Sequence, residues 1–193
     1  MIRLGQLGPS LRLLAVATLM LGIGYPLAVT GVAQVVFPNQ ADGSLITRDD
    51  RAVGSSLIGQ SFEGKPAYFQ SRPSAAGDGY DPTSSSASNL ALDNPDLVDL
   101  VGQRRAAIAR SDAIPAGRVA PDAMLASGSG LDPHISPEYA HQQVARVARE
   151  RGLTRAQVSD LVDELTQGRT LGFLGEPRVN VLELNLALDD RGD

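Results

Sequence analysis

The sequence predicts an α+β protein: a single N-terminal transmembrane helix followed by one compact extracytoplasmic domain with several helices and a few short strands. Three observations lead there. Residues 13–37 run for 25 positions without a charge. Three later segments carry helix start signals. The stretch between them holds only brief apolar patches among Gly, Ser, Pro and Asp.

The uncharged run comes first. As a helix it covers about 37 Å, enough to cross a hydrocarbon core of about 30 Å. Pro26 lies mid-span, where a kink is expected but tolerated. Gly22, Gly24 and Gly31, with Pro26, offer a small-residue face for packing against another helix. The competing reading is a cleaved signal peptide, with Gly31-Val32-Ala33 as a small-x-small cleavage site. The run is longer than the roughly 7–15 apolar residues of such peptides, which favours an uncleaved anchor. Arg3 and Arg12 flank it on one side, Arg48 and Arg51 on the other. We place the N-terminus in the cytoplasm. The expected segments are a cytoplasmic N-terminus (1–12), a transmembrane helix (13–37) and an extracytoplasmic domain (38–193). The expected location is the cell inner membrane, crossed once.

In the domain, residues 56–58 and 67–69 read as brief strands. Residues 71–90 have the composition of a flexible linker, yet contain Arg72, Tyr80 and Asn89. A helix then starts at Asn94, an N-cap followed by Pro95 and Asp96. Leu97, Leu100, Val101 and Ile108 give it an apolar stripe. A second helix starts at Ser136, with Ala140, Val144 and Val147 on its inner face. A third opens on the capping box Thr154-x-x-Gln157, carries Val158, Leu161, Val162 and Leu165, and stops at Gly168. Residues 181–188 alternate Leu with Glu, Asn and Ala, which fits a strand. Asn180-x-x-Glu183 and the Leu/Ala/Glu content fit a helix better.

Composition excludes several functions. The 193 residues include no Cys and no Trp, and only 4% are aromatic, so the core is aliphatic. Disulfides and thiol chemistry are ruled out. Residues 1–37 hold two Arg and no acid, leaving 15 basic and 22 acidic groups beyond them. That balance opposes nucleic-acid binding.

Motifs for catalysis are incomplete. Residues 59–66 hold the G-x-x-x-x-G-K of a phosphate loop, but Pro66 replaces the Mg²⁺-binding hydroxyl and removes a backbone N–H. His134 and His141 have no third ligand beside them, so no metal site is expected. A Ser–His–Asp hydrolase finds no G-x-S-x-G elbow. Residues 73–103 hold five acids (Asp78, Asp81, Asp93, Asp96, Asp99) and no base. On an outward surface they would concentrate cations, or simply solubilise the chain.

Several strings together resemble a known family. They are Gly24-Tyr25-Pro26-Leu27, Leu57-Ile58-Gly59-Gln60-Ser61-Phe62, Ser71-Arg72-Pro73-Ser74-Ala75, Tyr80-Asp81-Pro82 and Ser88-Asn89-Leu90. The longest is Ala126-Ser127-Gly128-Ser129-Gly130-Leu131-Asp132-Pro133-His134-Ile135-Ser136-Pro137, followed by the ending Val179-Asn180-Val181-Leu182-Glu183-Leu184-Asn185-Leu186-Ala187-Leu188-Asp189. In this order they resemble the C subunit of the Kdp-type potassium-transporting P-type ATPase.

The resemblance implies a non-catalytic accessory subunit of a high-affinity potassium uptake complex. Its partners would be a channel-like potassium-translocating subunit and an ATP-hydrolysing P-type subunit. It would stabilise the complex and act as a catalytic chaperone, raising the ATP affinity of the hydrolysing subunit. In the family that role is tied to a Ser/Gly-rich stretch resembling an ABC-transporter signature loop, here residues 83–89. Ser86 and Ala87 replace its paired glycines, so the backbone loses its close approach to phosphate. ATP and potassium are therefore expected to be handled by the partners, with no cofactor bound tightly here. The matching strings nominate Arg72, Ser74, Asp81, Ser88, Asn89, Ser129, Asp132 and His134 for partner contact or nucleotide coupling. Residues 127–137 also have a purely structural reading, with Gly128 and Gly130 at positive φ, a turn at Asp132-Pro133 and a cap at Ser136. Arg72 and Asn89 can equally be loop clamps. Two other functions stay open: an anchored extracytoplasmic scaffold or binding protein acting outside a pump, and a membrane-tethered hydrolase.

Overall fold

The computed structural model describes residues 4–192. Arg3, used above to orient the span, and Asp193 lie outside the described residues. The chain divides into two units, Met1–Val53 and Gly54–Asp193.

In the first unit, helix α1 (Leu7–Leu19) leads through a π turn (Met20–Gly24) into α2 (Tyr25–Val36). Together Leu7–Val36 form the one helix among the described residues long and apolar enough to cross a membrane, and none of it is buried. The helix starts earlier than the uncharged run and takes in Arg12. The π turn lies just before Pro26, where a kink is expected. Pro26 has no N–H to return to the preceding turn, and the Tyr25 N–H reaches back to the Met20 carbonyl instead, five residues away. The helix ends at Phe37, whose backbone (φ −135°, ψ 59°) is no longer helical. The following Pro38 disfavours a helical conformation for that residue. A single turn, α3 (Pro38–Ala41), follows, and the Gln34 amide donates to Asp42 at 3.1 Å. Strands β1 (Leu45–Arg48) and β2 (Arg51–Ser55) then pair as a hairpin. Its turn residues, Asp49 and Asp50, both have positive φ (49° and 59°), as a twist-matched two-residue turn requires.

The second unit is built on helices. They are α4 (Pro95–Ser111), a short α5 (Pro121–Met124), α6 (Pro137–Arg151), α7 (Arg155–Glu164) and α8 (Val181–Gly192). Three strands, β3 (His134–Ile135), β4 (Thr166–Gln167) and β5 (Arg178–Asn180), make an antiparallel sheet in the order β3-β5-β4. His134 pairs with Asn180 and Thr166 with Val179.

Each expected cap is present. Asn94 accepts from Asp96 N–H at 2.8 Å, Ser136 from Tyr139 N–H at 3.0 Å, and Thr154 with Gln157 completes a capping box. Gly152, in the left-handed region (φ 68°), ends α6 and lets α7 fold back on it. The third helix ends at Glu164 rather than Gly168, because Thr166 leaves it to pair with β5. Residues 181–188 are helical. Asn180 accepts from the N–H groups of Leu182 and Glu183, at 3.1 and 3.2 Å. On one face of α8, Val181, Leu184, Asn185 and Leu188 are buried. They pack in a core with Phe69, Val147, Val158, Val162 and Val179, and each large aliphatic chain so buried is worth about 1.5–3 kcal/mol.

The expected strands do not form. Residues 56–58 and 67–69 are turns and bends running into irregular chain, not strands. The 67–69 stretch is apolar, but the Tyr68 N–H closes a turn onto Lys65 O at 3.1 Å and no strand lies beside it. Side-chain amides take that place. Asn185 Oδ1 accepts from Phe69 N–H (2.8 Å) while its Nδ2 donates to Phe69 O (3.0 Å). Gln143 does the same to Gln70, at 2.6 and 3.2 Å. Arg146 donates to the carbonyls of Pro66 and Tyr68, and Arg151 donates to that of Ala67. Residues 71–90, with a linker's composition, are not a spacer. Ala76 is fully buried, and Ser74 and Tyr80 are bound into the loop. Small side chains serve there to let backbones touch.

Candidate functional site

Three loops meet around Arg72: residues 59–62, 71–86 and 127–136. The junction needs glycine twice. A Cβ on Gly59 would lie 2.4 Å from the Tyr80 ring and 2.7 Å from the Asp132 carbonyl oxygen. One on Gly130 (φ 68°) would lie 2.6 Å from Ser86 O and 2.7 Å from Ala76 N. Gly128 has open space around it and no positive φ, so that part of the expected loop geometry does not hold. Its neighbour alone makes the close approach.

The polar side chains stitch these loops together. Arg72 Nη1 donates to Asp132 Oδ2 at 3.1 Å, and Nη2 reaches Leu125 O at 3.4 Å. Asp132 Oδ1 accepts the His134 N–H at 3.0 Å and faces His134 Nδ1 at 3.3 Å. Ser74 Oγ donates to Gly130 O at 2.6 Å and accepts from the N–H groups of Ala76 and Tyr80. Ser129 O accepts from Ser86 N–H and Ser85 Oγ. The Tyr80 hydroxyl donates to Arg72 O at 2.7 Å.

Arg72 Nε is buried without a partner. The guanidinium borders two clefts. One of about 390 Å³ is lined by Ser71, Ser74, Tyr80, Arg104 and Tyr139. The other, of about 470 Å³, includes Asp132, His134, Glu138 and Arg178.

Electrostatics make this a latch rather than an acid–base pair. Burial pushes the Tyr80 phenol up to about 12, and the Tyr139 phenol is pushed up for the same reason. Both stay protonated, and the Tyr80 hydroxyl remains a donor. Burial acts to raise the Asp132 carboxyl as well. The His134 hydrogen bonds and the Arg72 charge outweigh it and hold the group below the ordinary range. A depressed carboxylate lends stability above its unfolded pKa of about 4 and loses it as pH falls through the folded value. Asp132→Asn is therefore expected to be less stable than the parent at neutral pH. The difference should close as pH drops below about 4. Urea unfolding from pH 7 to pH 2.5 measures it, and a gap independent of pH contradicts the latch.

Of the nominated residues, Arg72, Ser74, Ser129, Asp132 and His134 come together. Asp81, Ser88 and Asn89 do not join them. Asp81 accepts from Thr83 N–H and Oγ1, while Ser88 and Asn89 are exposed and the Asn89 amide donates only to Ala87 O. Gly22, Gly24, Pro26 and Gly31 sit on the apolar helix, where a Cβ on Gly31 would meet nothing within 4 Å. No strand–loop–helix surrounds residues 59–66. Among the described residues no group of three or more His, Asp or Glu could hold a metal ion, and the five acids of residues 73–103 form none.

Sequence reading missed the buried polar set Asp112, Gln143, Arg146 and Asn185. Asn185 was visible in principle, because it falls in helical register with Val181, Leu184 and Leu188.

The latch strings lie within a longer likeness. The profile of the KdpC family, described as the c chain of the K⁺-transporting ATPase, matches residues 7–190. The chain belongs to the KdpC family. The potassium-transporting ATPase KdpC subunit of Kineococcus radiotolerans is 60% identical over 185 residues, covering 96% of this chain and 93% of that one. Its counterpart from Rhodospirillum rubrum is 54% identical over 188 residues, covering 97% of each. That of Beijerinckia indica is 53% identical over 188 residues, covering 97% and 95%. KdpC is a subunit of the K⁺-transporting ATPase, so a subunit role in an ATPase complex goes with membership. The Arg72–Asp132–His134 latch lies within the residues matched by the KdpC family.

Proposed function

We propose that this chain is a non-catalytic accessory subunit of an ATP-driven, high-affinity potassium uptake complex. It stabilises the complex and raises the ATP affinity of the hydrolysing subunit. The observation that carries this reading is the family match across residues 7–190. Leu7–Val36 crosses the inner membrane once, with the N-terminus in the cytoplasm and the domain outside. The partners are the channel-like translocating subunit and the P-type ATP-hydrolysing subunit.

The chemistry of the latch agrees with such a role. Its hydroxyls and charges are spent on holding loops: Ser74 and Tyr80 donate to backbone carbonyls, and Ser136 donates to Asp122 while capping α6. Ser86 and Ala87 stand where paired glycines would let backbone approach phosphate. ATP affinity is then raised by coupling through the assembled complex. A coupling of about 1–3 kcal/mol corresponds to roughly 5–150-fold in affinity.

Three measurements test this. Protease added to spheroplasts should cleave the domain while leaving the cytoplasmic end intact, and protection of the domain overturns the orientation. The complex purified without this chain should show a raised KM for ATP, restored on adding it back. An unchanged KM removes the chaperone role, and failure of the tagged chain to bring down the other two subunits removes the whole reading.

A further inference from the structure

Between β4 and β5 the chain makes a protruding hairpin, residues 168–177. Thr170 and Leu174 exchange both backbone hydrogen bonds, each 2.9 Å. Arg169 and Glu176 close its base with a 2.7 Å ion pair. At the tip Leu171 is 79% exposed, Phe173 69% and Leu174 49%. Among the described residues of the Gly54–Asp193 unit, nowhere else do three large apolar side chains stand exposed within four positions. The others are scattered singly, which is normal for a surface.

The tip is also preformed. Leu171 holds φ 55° and Gly172 φ 82°, with Gly175 at 77°. A left-handed leucine is strained, and such strain persists where surrounding structure imposes it. Here the Thr170–Leu174 pairing and the Arg169–Glu176 bridge impose it. The result is a rigid loop presenting two short aliphatic chains and one ring. Rigid anchors lose little entropy on burial, which suits a docking element.

Charge selects the occupant. Arg169 and Glu176 neutralise one another, and residues 170–175 carry no charge. A lipid-seeking loop draws on unpaired Lys or Arg to reach anionic headgroups, and this tip has none. An uncharged apolar recess on another protein matches it. We infer that the Leu171–Phe173–Leu174 tip plugs into an uncharged, apolar recess on a partner subunit of the same potassium transporter. The inference rests on the accessory-subunit reading given above.

The absence of Cys makes the test direct. In the full-length chain, Phe173→Cys carrying a benzophenone label is assembled with the other subunits in the membrane and irradiated. The expected product is a cross-link to one partner subunit, mapped to an apolar surface. In parallel, Leu171→Ser combined with Phe173→Ser should lower the yield of co-purified complex about tenfold or more, while thermal unfolding of the chain stays as in the parent. A label captured only by lipid, by a second copy of this chain or by nothing, in a complex that is otherwise intact, overturns the inference. So does a serine double variant that folds and assembles like the parent. If that variant fails to fold, the cross-link decides alone. If the parent chain brings down no partner, the accessory-subunit reading falls together with this one.

Discussion

Arg146→Met should destabilise the full-length chain by about 3–5 kcal/mol, the cost of leaving one member of a buried ion pair unpaired. Arg146 is 4% exposed, and its Nε donates to Asp112 Oδ1 at 2.6 Å. Its Nη1 donates to the carbonyls of Pro66 and Tyr68, and its Nη2 to Gln143 Oε1 at 2.7 Å. One guanidinium therefore ties α6 to the end of α4 and to the 66–70 segment. Removing it strands the Asp112 carboxylate, itself 4% exposed, and two carbonyls. Asp112→Leu alone should cost about as much, because it leaves the cation unpaired. The double variant Asp112→Leu with Arg146→Met should recover much of the Asp112–Arg146 loss, since paired apolar replacements of buried ion pairs are often near neutral. Recovery will stop short of the parent, because the carbonyls of Pro66 and Tyr68 still lose their donor. Urea unfolding followed by circular dichroism in detergent measures all three. A single variant within about 1 kcal/mol of the parent contradicts the hub, since typical surface changes stay within ±0.5 kcal/mol.

The second large effect separates two glycines two positions apart. Gly130→Ala should cost about 2–4 kcal/mol, from a left-handed φ that penalises any Cβ and an overlap with neighbouring backbone. The overlapping atoms, Ser86 O and Ala76 N, belong to a loop that must move as a whole to relieve it. Gly128→Ala should be within about 0.5 kcal/mol of the parent, because its Cβ would enter open space. Thermal unfolding of both variants makes the comparison. Equal losses would mean that the 127–131 loop does not pack on residues 76 and 86. The same pair bears on assembly. If the Arg72–Asp132–His134 surface meets a partner, Gly130→Ala should weaken complex recovery and Gly128→Ala should not.

The features that could be read from sequence are those decided locally. Asn94, Ser136, Thr154 and Asn180 each cap a helix through groups two or three residues away. Val181 and Asn185 share a buried face with Leu184 and Leu188 only in a helix. The apolar run ending at Phe37 stops because Pro38 follows. The latch was legible only as strings. Arg72 and Asp132 are 60 residues apart, and nothing in either neighbourhood says that they pair. The buried polar set was harder. Arg146 and Gln143 look like the charged face of an amphipathic helix until the 66–70 segment is laid against them.

Residues 67–69 mark the boundary well. Their apolar character is local and legible; the expected strand is not formed. Whether such a segment becomes a strand depends on what lies beside it, and here a turn precedes it and the neighbours are the amides of Asn185 and Gln143. The 71–90 loop differs for a related reason. Gly, Ser and Pro are compatible with disorder and with close backbone contact alike, and contact with Gly130 decided between them. Sequence by itself determined the apolar helix, the helix starts and the family, because caps, hydropathy and ordered strings need only near neighbours or a comparison. Tertiary structure decided the latch and the amide-held segment, because each depends on groups brought together across many residues, where burial drives most polar atoms to find a partner.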